Sequence, residues 1–359
     1  MSPTALDART LHRSGLVLDG HNDLALRLLE GDDPAHRLEG GHLDLPRMRE
    51  GGLDGGIFAV WVDPGLGEPL RRTLAGLERL RGWADRTAGV RRVERGADLD
   101  AARTAGEVAV VPGVEGGYGI EDDLSALDRM YDAGARCLTL TWMRPTDWAD
   151  AAGPEPVHGG LTRFGRKVVE RARTLGMAVD VSHASDRAAE AAIEVAGGGV
   201  LASHSGARAV ADHPRNLPDE LIEALAASGG VVGVVFFPAY LDEAYGRAFG
   251  ALKAEIGADL STRAQRRAFD RTVRDRLEVP PLSRLVEHVE RVRRVAGPGG
   301  VALGSDFDGV PALPRGLRDV RDLPELTVAL AGAGWSATDL TAFLGENLRR
   351  VLVEALEGA

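Results

Sequence analysis

Lysine is almost missing from this 359-residue chain: Lys167 and Lys253 are the only two, and the rest of the 43 basic residues are arginine. Cysteine is scarcer still. Cys137 stands alone, which excludes an internal disulfide framework and any zinc site built on thiolates. Positive charge is also in deficit, with 54 acidic residues against 43 basic ones, a net charge of −11 and a pI of about 5.4. That balance argues against nucleic acid and anionic membrane surfaces as partners. No stretch approaches the 18 or so uninterrupted apolar residues of a membrane span, and the opening M-S-P-T-A-L-D-A-R-T lacks the apolar core of a secretion leader. A cytoplasmic protein is therefore expected. What remains is an ordinary globular composition, 44% hydrophobic and 27% charged. The length admits two domains or a single α/β barrel.

Eight short apolar runs recur along the chain, bounded by glycine, proline or polar residues. They are 15–19, 55–62, 108–114, 135–141, 177–181, 200–202, 230–237 and 300–303. Most are continuous rather than alternating, as expected of parallel strands covered on both faces. Stretches of helical spacing lie between them: 70–88, 124–133, 164–175, 217–227 (with Asn216 as the expected cap) and a long one over 336–356. This alternation predicts a single (β/α)₈ TIM barrel over 1–359. An open doubly wound sheet is the rival, but no G-x-G-x-x-G follows the first run. One connection is oversized. The 60 or so residues of 238–298, with charged helical content over 263–276, predict a helical insertion or lid between strands 7 and 8.

Residues able to do chemistry stand just beyond the carboxyl ends of these runs. His21 and Asp23 end the first, in D-G-H-N-D-L, and Glu115 ends the third, in G-V-E-G-G. His183 ends the fifth, His204 the sixth, and Asp306 and Asp308 the eighth. In a parallel barrel all these ends open onto one face, where barrel enzymes build their sites. Three imidazoles and two carboxylates satisfy two divalent metals if one carboxylate bridges. Glu115, arriving from a separate strand, is the natural bridge. Zinc suits such a set, with manganese and iron as alternatives. Two such ions can share a hydroxide and polarise a carbonyl or phosphoryl oxygen. A carboxylated lysine is a known substitute for the bridge, but both lysines fall in helical stretches. The other six histidines (12, 36, 42, 158, 213 and 288) read as packing or surface residues, and Asp308 as support for its turn.

With these residues assembled, the chain resembles the membrane (renal) dipeptidases, a branch of the amidohydrolase superfamily. The resemblance spans Gly15 to Val353 and rests on D-G-H-N-D-L, G-V-E-G-G, V-S-H-A-S, S-H-S, R-N-L-P-D and G-S-D-F-D-G, in that order. It implies a (β/α)₈ barrel, usually dimeric, acting on dipeptides and often tolerating a D-residue at the second position. It implies two zinc ions: His21 and Asp23 on one, His183 and His204 on the other, Glu115 between them. Asp306 is then the proton-transferring carboxylate, and Arg215 grips the free carboxylate of the substrate. There is one departure. The renal enzymes end the fourth strand with L-T-L-T-H, whose histidine holds the developing oxyanion; here the run ends at Trp142. That change opens a second expectation, a metal-dependent hydrolase or lyase of another small amide, ester or lactone. A binding protein without activity is the third.

Overall fold

The computed structural model describes residues 4–257 and 262–357, and the counts below refer to these. Nine strands form: β1 (Leu18–Asn22), β2 (Gly55–Trp61), β3 (Val90–Arg92), β4 (Val108–Glu115), β5 (Cys137–Thr139), β6 (Ala178–Asp180), β7 (Val200–Ser205), β8 (Val231–Val234) and β9 (Val301–Leu303). Every pairing between them is parallel, and β2 pairs with both β1 and β4, so the sheet closes on itself. The result is an eight-stranded (β/α)₈ barrel, with β3 a short ninth strand on the edge of β4. All eight apolar runs became barrel strands. The ninth was not expected, because V-R-R is mostly polar and only three residues long.

Along each strand alternate residues face the barrel axis. On β4, Ala109 and Val111 join a cluster with Leu18, Ile57, Cys137, Ala178, Leu201, Val231 and Ala302 at the amino-terminal end of the barrel. The C-terminal helix Asn347–Leu356 plugs that end with Leu348, Val351, Leu352 and Ala355. The intervening residues, among them Val110, Leu138, Val179 and Val232, face outward into the larger core beneath the helices.

Two local expectations are corrected. The helix after β7 starts at Asp219, with Pro218 rather than Asn216 at its cap. Asn216 is instead buried, its amide donating to the carbonyls of Ala211 (2.8 Å) and Tyr240 (2.7 Å). The C-terminal helix is also interrupted, since Ala342–Glu346 takes a π-helical turn between Ala337–Thr341 and Asn347–Leu356.

Between β8 and β9 the chain folds into helices Pro238–Leu241, Glu243–Ile256, Arg263–Arg276 and Leu282–Ala296. The last packs against β8, β9 and the helix Asp219–Ala227, so it belongs to the outer layer. The added part is the middle pair, with a small core of Leu252, Phe269 and Val273. Its arginines fix it to the segments after β1 and β9: Arg263 contacts Asp32 (2.5 Å), Arg266 pairs with Glu30, and Arg274 donates to the carbonyl of Pro311 (2.9 Å).

Candidate metal centre

The same alternation that buries valines at one end of the barrel delivers polar groups at the other. Stepping by two from Val111 along β4 passes Gly113 and reaches Glu115; from Leu201 along β7 it reaches Ser203 and Ser205. Parallel register sets Glu115 beside Trp61 of β2 and Thr139 of β5, and Thr139 beside Asp180 of β6. One inward layer therefore carries Trp61, Glu115, Thr139 and Asp180 together.

All five expected metal ligands converge above this layer. Glu115 Oε1 lies 3.1 Å from His183 Nε2, 3.6 Å from His204 Nε2 and 3.7 Å from His21 Nε2. His21 Nε2 is 3.6 Å from Asp23 Oδ2, and the Nε2 atoms of His183 and His204 are 2.9 Å apart. Tetrahedral zinc with bonds of 2.0–2.1 Å spaces its ligands by about 3.3 Å, so these separations suit shared metal ions. The residues thus fit such ions, and another observation agrees. His21 Nε2 is buried without a hydrogen-bond partner among the described residues. The Nε2 atoms of His183 and His204 also turn toward each other and toward Glu115 Oε1, so the three can take one ion between them.

The charge balance points the same way. Burial, then the nearby Arg215 and His21, hold the rings of His183 and His204 well below the usual histidine range, in the neutral form that binds metal. Burial opposes a charge on His21 too, but Glu115, Asp23 and Asp306 outweigh it and hold the pKa up at about 10. Burial pushes Glu115 well above the ordinary carboxylate range. Buried Glu115 and Asp23 and half-buried Asp306, around one imidazolium, form a cluster in need of positive charge.

A polar floor sets the tautomers. Asp180 Oδ2 accepts from the hydroxyls of Thr139 and Ser203, each at 2.6 Å. Its Oδ1 accepts from the backbone N–H of Ser182 (2.9 Å) and Ser203 (2.8 Å). Because the one proton of Ser203 Oγ goes to Asp180, His204 Nδ1, 2.8 Å away, must donate to that oxygen. Its Nε2 then presents a bare lone pair to the centre. Asp19 does the same work for the loop after β9, accepting from Ser305 N (2.7 Å) and Oγ (2.5 Å), and burial pushes its pKa up to about 6. Asp19, Thr139, Asp180, Ser203 and Ser305 were missed from sequence. Only Asp19 and Asp180 carried a signal, a carboxylate embedded in an otherwise apolar strand.

The loops above are held under strain. His183, Asp306 and Asp308 are three of five non-glycine residues with positive φ (67°, 61° and 66°), a conformation kept where surrounding contacts enforce it. Gly309 shows how tight the packing is: a Cβ there would meet carboxylate oxygens of both Asp23 and Asp306 at 2.3 Å. Asp306 thus sits beside Asp23; burial, then Asp23, push its pKa up to about 8. Asp308 faces away from the ions' place, accepting from His42 N at 2.5 Å.

Arg215 lies across the site, 2% exposed. Its Nη2 donates to the carbonyl of His204 (2.9 Å) and its guanidinium stands 5.3 Å from the Tyr240 ring, but among the described residues Nε has no partner and no carboxylate pairs with it. A buried, unpaired guanidinium is a receptor for an anion. Trp142, just beyond β5, is half-buried, 6.3 Å from the His183 ring and 4.7 Å from Trp61. Its backbone N–H donates to the Tyr118 hydroxyl (3.2 Å), which in turn donates to the carbonyl of Arg144 (2.8 Å). Gly116, at φ +86°, lets the chain turn there, since a Cβ would strike the Tyr118 ring at 2.6 Å.

Comparison with known proteins gives a consistent account. A sequence model of the membrane dipeptidase family (peptidase family M19) matches residues 6–358. Dipeptidase 3 of Homo sapiens is 31% identical over 365 residues, covering 98% of this chain and 68% of the relative. The Mus musculus counterpart is 30% identical over 355 residues, 96% of this chain and 65% of the relative. The chain thus spans less than two thirds of the mouse and rat relatives, 65% and 66% of their length. Among solved structures, the probable dipeptidase PvdM from Pseudomonas aeruginosa superposes with a TM-score of 0.85 at 26% identity, covering 99% of both chains. A metallopeptidase from Rhodobacter sphaeroides, liganded with a phosphinate mimic of L-Ala-D-Ala, gives 0.79 at 26% identity over 94% of this chain and 98% of that one. By its sequence and its barrel, the chain belongs to the membrane dipeptidase family of metallopeptidases.

Proposed function

We propose that this protein hydrolyses small dipeptides, L,D-dipeptides included, with two zinc ions. The observation that carries the reading is Glu115 Oε1, placed 3.1–3.7 Å from three imidazole nitrogens. His21 and Asp23 would hold one ion, His183 and His204 the other, and Glu115 would serve both. Ions bound there supply Lewis acidity for the scissile carbonyl and a water acidified enough to attack it near neutral pH.

The chain's own residues do the rest. Arg215 fixes the substrate carboxylate, since it is a buried cation beside the site that no carboxylate pairs with among the described residues. Asp306 receives a proton at its carboxyl beside Asp23 and passes it to the departing amine nitrogen. Ser203 and Asp180 keep His204 in the tautomer that leaves Nε2 free. The helical pair between β8 and β9 would act as a lid on a single barrel domain, since its arginines hold the β1 loop next to Asp23. The Rhodobacter neighbour's bound mimic supports an L,D-dipeptide as substrate. A homodimer in the cytoplasm completes the proposal; no described helix is long and apolar enough to cross a membrane.

A second reading, hydrolysis of another small amide, ester or lactone, is favoured by Trp142. An indole can donate a hydrogen bond but carries no positive charge, and it stands 6.3 Å from His183. The test is a screen of zinc-loaded protein against L,L- and L,D-dipeptides and their C-terminal amides. Cleavage of dipeptides but not amides, with Arg215→Lys weakening only the former, supports the first reading. Amides and esters cleaved as readily as free dipeptides would transfer support to the second.

A further inference from the structure

Trp61 was not expected at the site. Its register partner is Glu115, so its side chain leaves β2 toward the same inward face as the central carboxylate. Its ring lies 4.7 Å from that of Trp142, with the planes tilted by 53°. Trp142 in turn stands 6.3 Å from His183, and its backbone is fixed by the Tyr118 hydroxyl. Two indoles from different strands thus make one apolar wall beside Glu115 and His183. Leu66 and Met143, on the segments that follow β2 and β5, are 51% and 40% exposed.

The position of this wall relative to Arg215 gives it a role. β2 lies four strands from β7 in either direction around the barrel. Trp61 therefore faces, across the mouth, the strand that delivers His204 and leads to Arg215. A dipeptide whose carboxylate rests on Arg215 and whose carbonyl lies over Glu115 directs its amino-terminal residue toward the indoles, because consecutive Cα atoms are about 3.8 Å apart. We propose that Trp61 and Trp142 form the pocket wall for the amino-terminal side chain, and that they select large apolar, above all aromatic, residues there. This rests on the dipeptidase reading and assigns the side of the substrate that Arg215 does not read. Burying a phenylalanine side chain favours binding by roughly 10- to 100-fold, and ring-on-ring geometry adds to it.

The experiment compares kcat/KM for Phe-Ala, Leu-Ala, Ala-Ala and Ala-Phe on zinc-loaded wild type, Trp61→Ala and the gentler Trp61→Leu. Wild type should favour Phe-Ala over Ala-Ala by at least about tenfold, with Ala-Phe gaining nothing comparable. Both variants should compress that ratio toward unity, Trp61→Leu less than Trp61→Ala. Phosphinate mimics of Phe-Ala and Ala-Ala, read by calorimetry, should show the same ratio in Kd without turnover. Preference for Ala-Ala, or a ratio unmoved in Trp61→Leu and Trp61→Ala, would overturn the wall and leave the dipeptidase reading standing. Failure of wild type to cleave or bind any dipeptide or mimic would overturn both.

Discussion

The two ends of this barrel are built by the same strands and could hardly differ more. At the amino-terminal end, Leu18, Val111, Leu201 and Ala302 meet Leu348, Val351 and Leu352 of the closing helix. None of the residues in that cluster is among the described non-glycine residues with positive φ. Two residues further along the same faces stand Gly113, Ser203 and Gly304, and beyond them Glu115, Ser205 and Asp306. Among the described residues, that end holds three non-glycine residues at positive φ and two buried imidazole nitrogens without a hydrogen-bond partner, His21 Nε2 and His183 Nδ1. One end contributes folding free energy through apolar burial; the other consumes it to hold charges and strained loops in place. The lesson is that stability and chemistry are separated by about one turn of pleat, so substitutions should separate them too.

The largest effect should come from Glu115→Gln. One neutral amide would replace the carboxylate that faces three imidazoles, so metal content should fall well below the two ions per chain expected of the wild type. Removing several kcal/mol of Lewis-acid assistance corresponds to a turnover loss of about 10³-fold or more. Elemental analysis with unfolding curves checks it: a variant that keeps both metals would refute the bridging role. Asp306→Asn should come next, lowering turnover by about 10²–10⁴-fold with metal content near normal. If the metal leaves with it, Asp306 is a ligand rather than a proton carrier. At the other end, Leu201→Ala should cost about 2–5 kcal/mol of stability, read by denaturant titration, while metal content holds. Loss of metal on that substitution would show that the two ends are not separable.

How much of this was legible beforehand follows the same divide. The barrel was readable because parallel strands covered on both faces appear as unbroken apolar runs, and the cluster of candidate ligands was readable because its members follow those runs. The hidden part lies where the two ends meet. Asp19 and Asp180 fall inside strands, so each read as a polar interruption of an apolar run rather than as a floor under the ligands. Ser203 and Thr139 gave no signal at all, since a serine or threonine in a strand is commonplace. Trp61 closes an apolar run as any strand residue would. Only the register that sets it beside Glu115 reveals which way it faces. Asn216 misled for a different reason: an asparagine before a proline and two acids looks like a cap, but tertiary contacts with Ala211 and Tyr240 claimed its amide.

Ser203→Ala gives the smallest effect and the finest cut, because Ser203 stands two residues from Leu201 on the same face of β7. Its hydroxyl donates to Asp180 Oδ2 (2.6 Å) and receives the Nδ1 proton of His204 (2.8 Å). Alanine removes both contacts while leaving every first ligand intact. His204 is then free to carry its proton on Nε2, the atom facing the metals, and that tautomer must be reversed before an ion can bind. Loss of such an outer hydrogen bond typically weakens metal affinity by about 10–100-fold. Competition with a chelator should therefore strip the variant at correspondingly lower chelator concentration, with Ser203→Thr, which keeps the hydroxyl, intermediate or normal. Excess zinc should restore turnover to within a few-fold, since no group that touches substrate has been removed. An unchanged affinity in Ser203→Ala would mean that the protein around His204, and not this hydroxyl, fixes its tautomer, and the boundary between the two ends would move up to the ligands themselves.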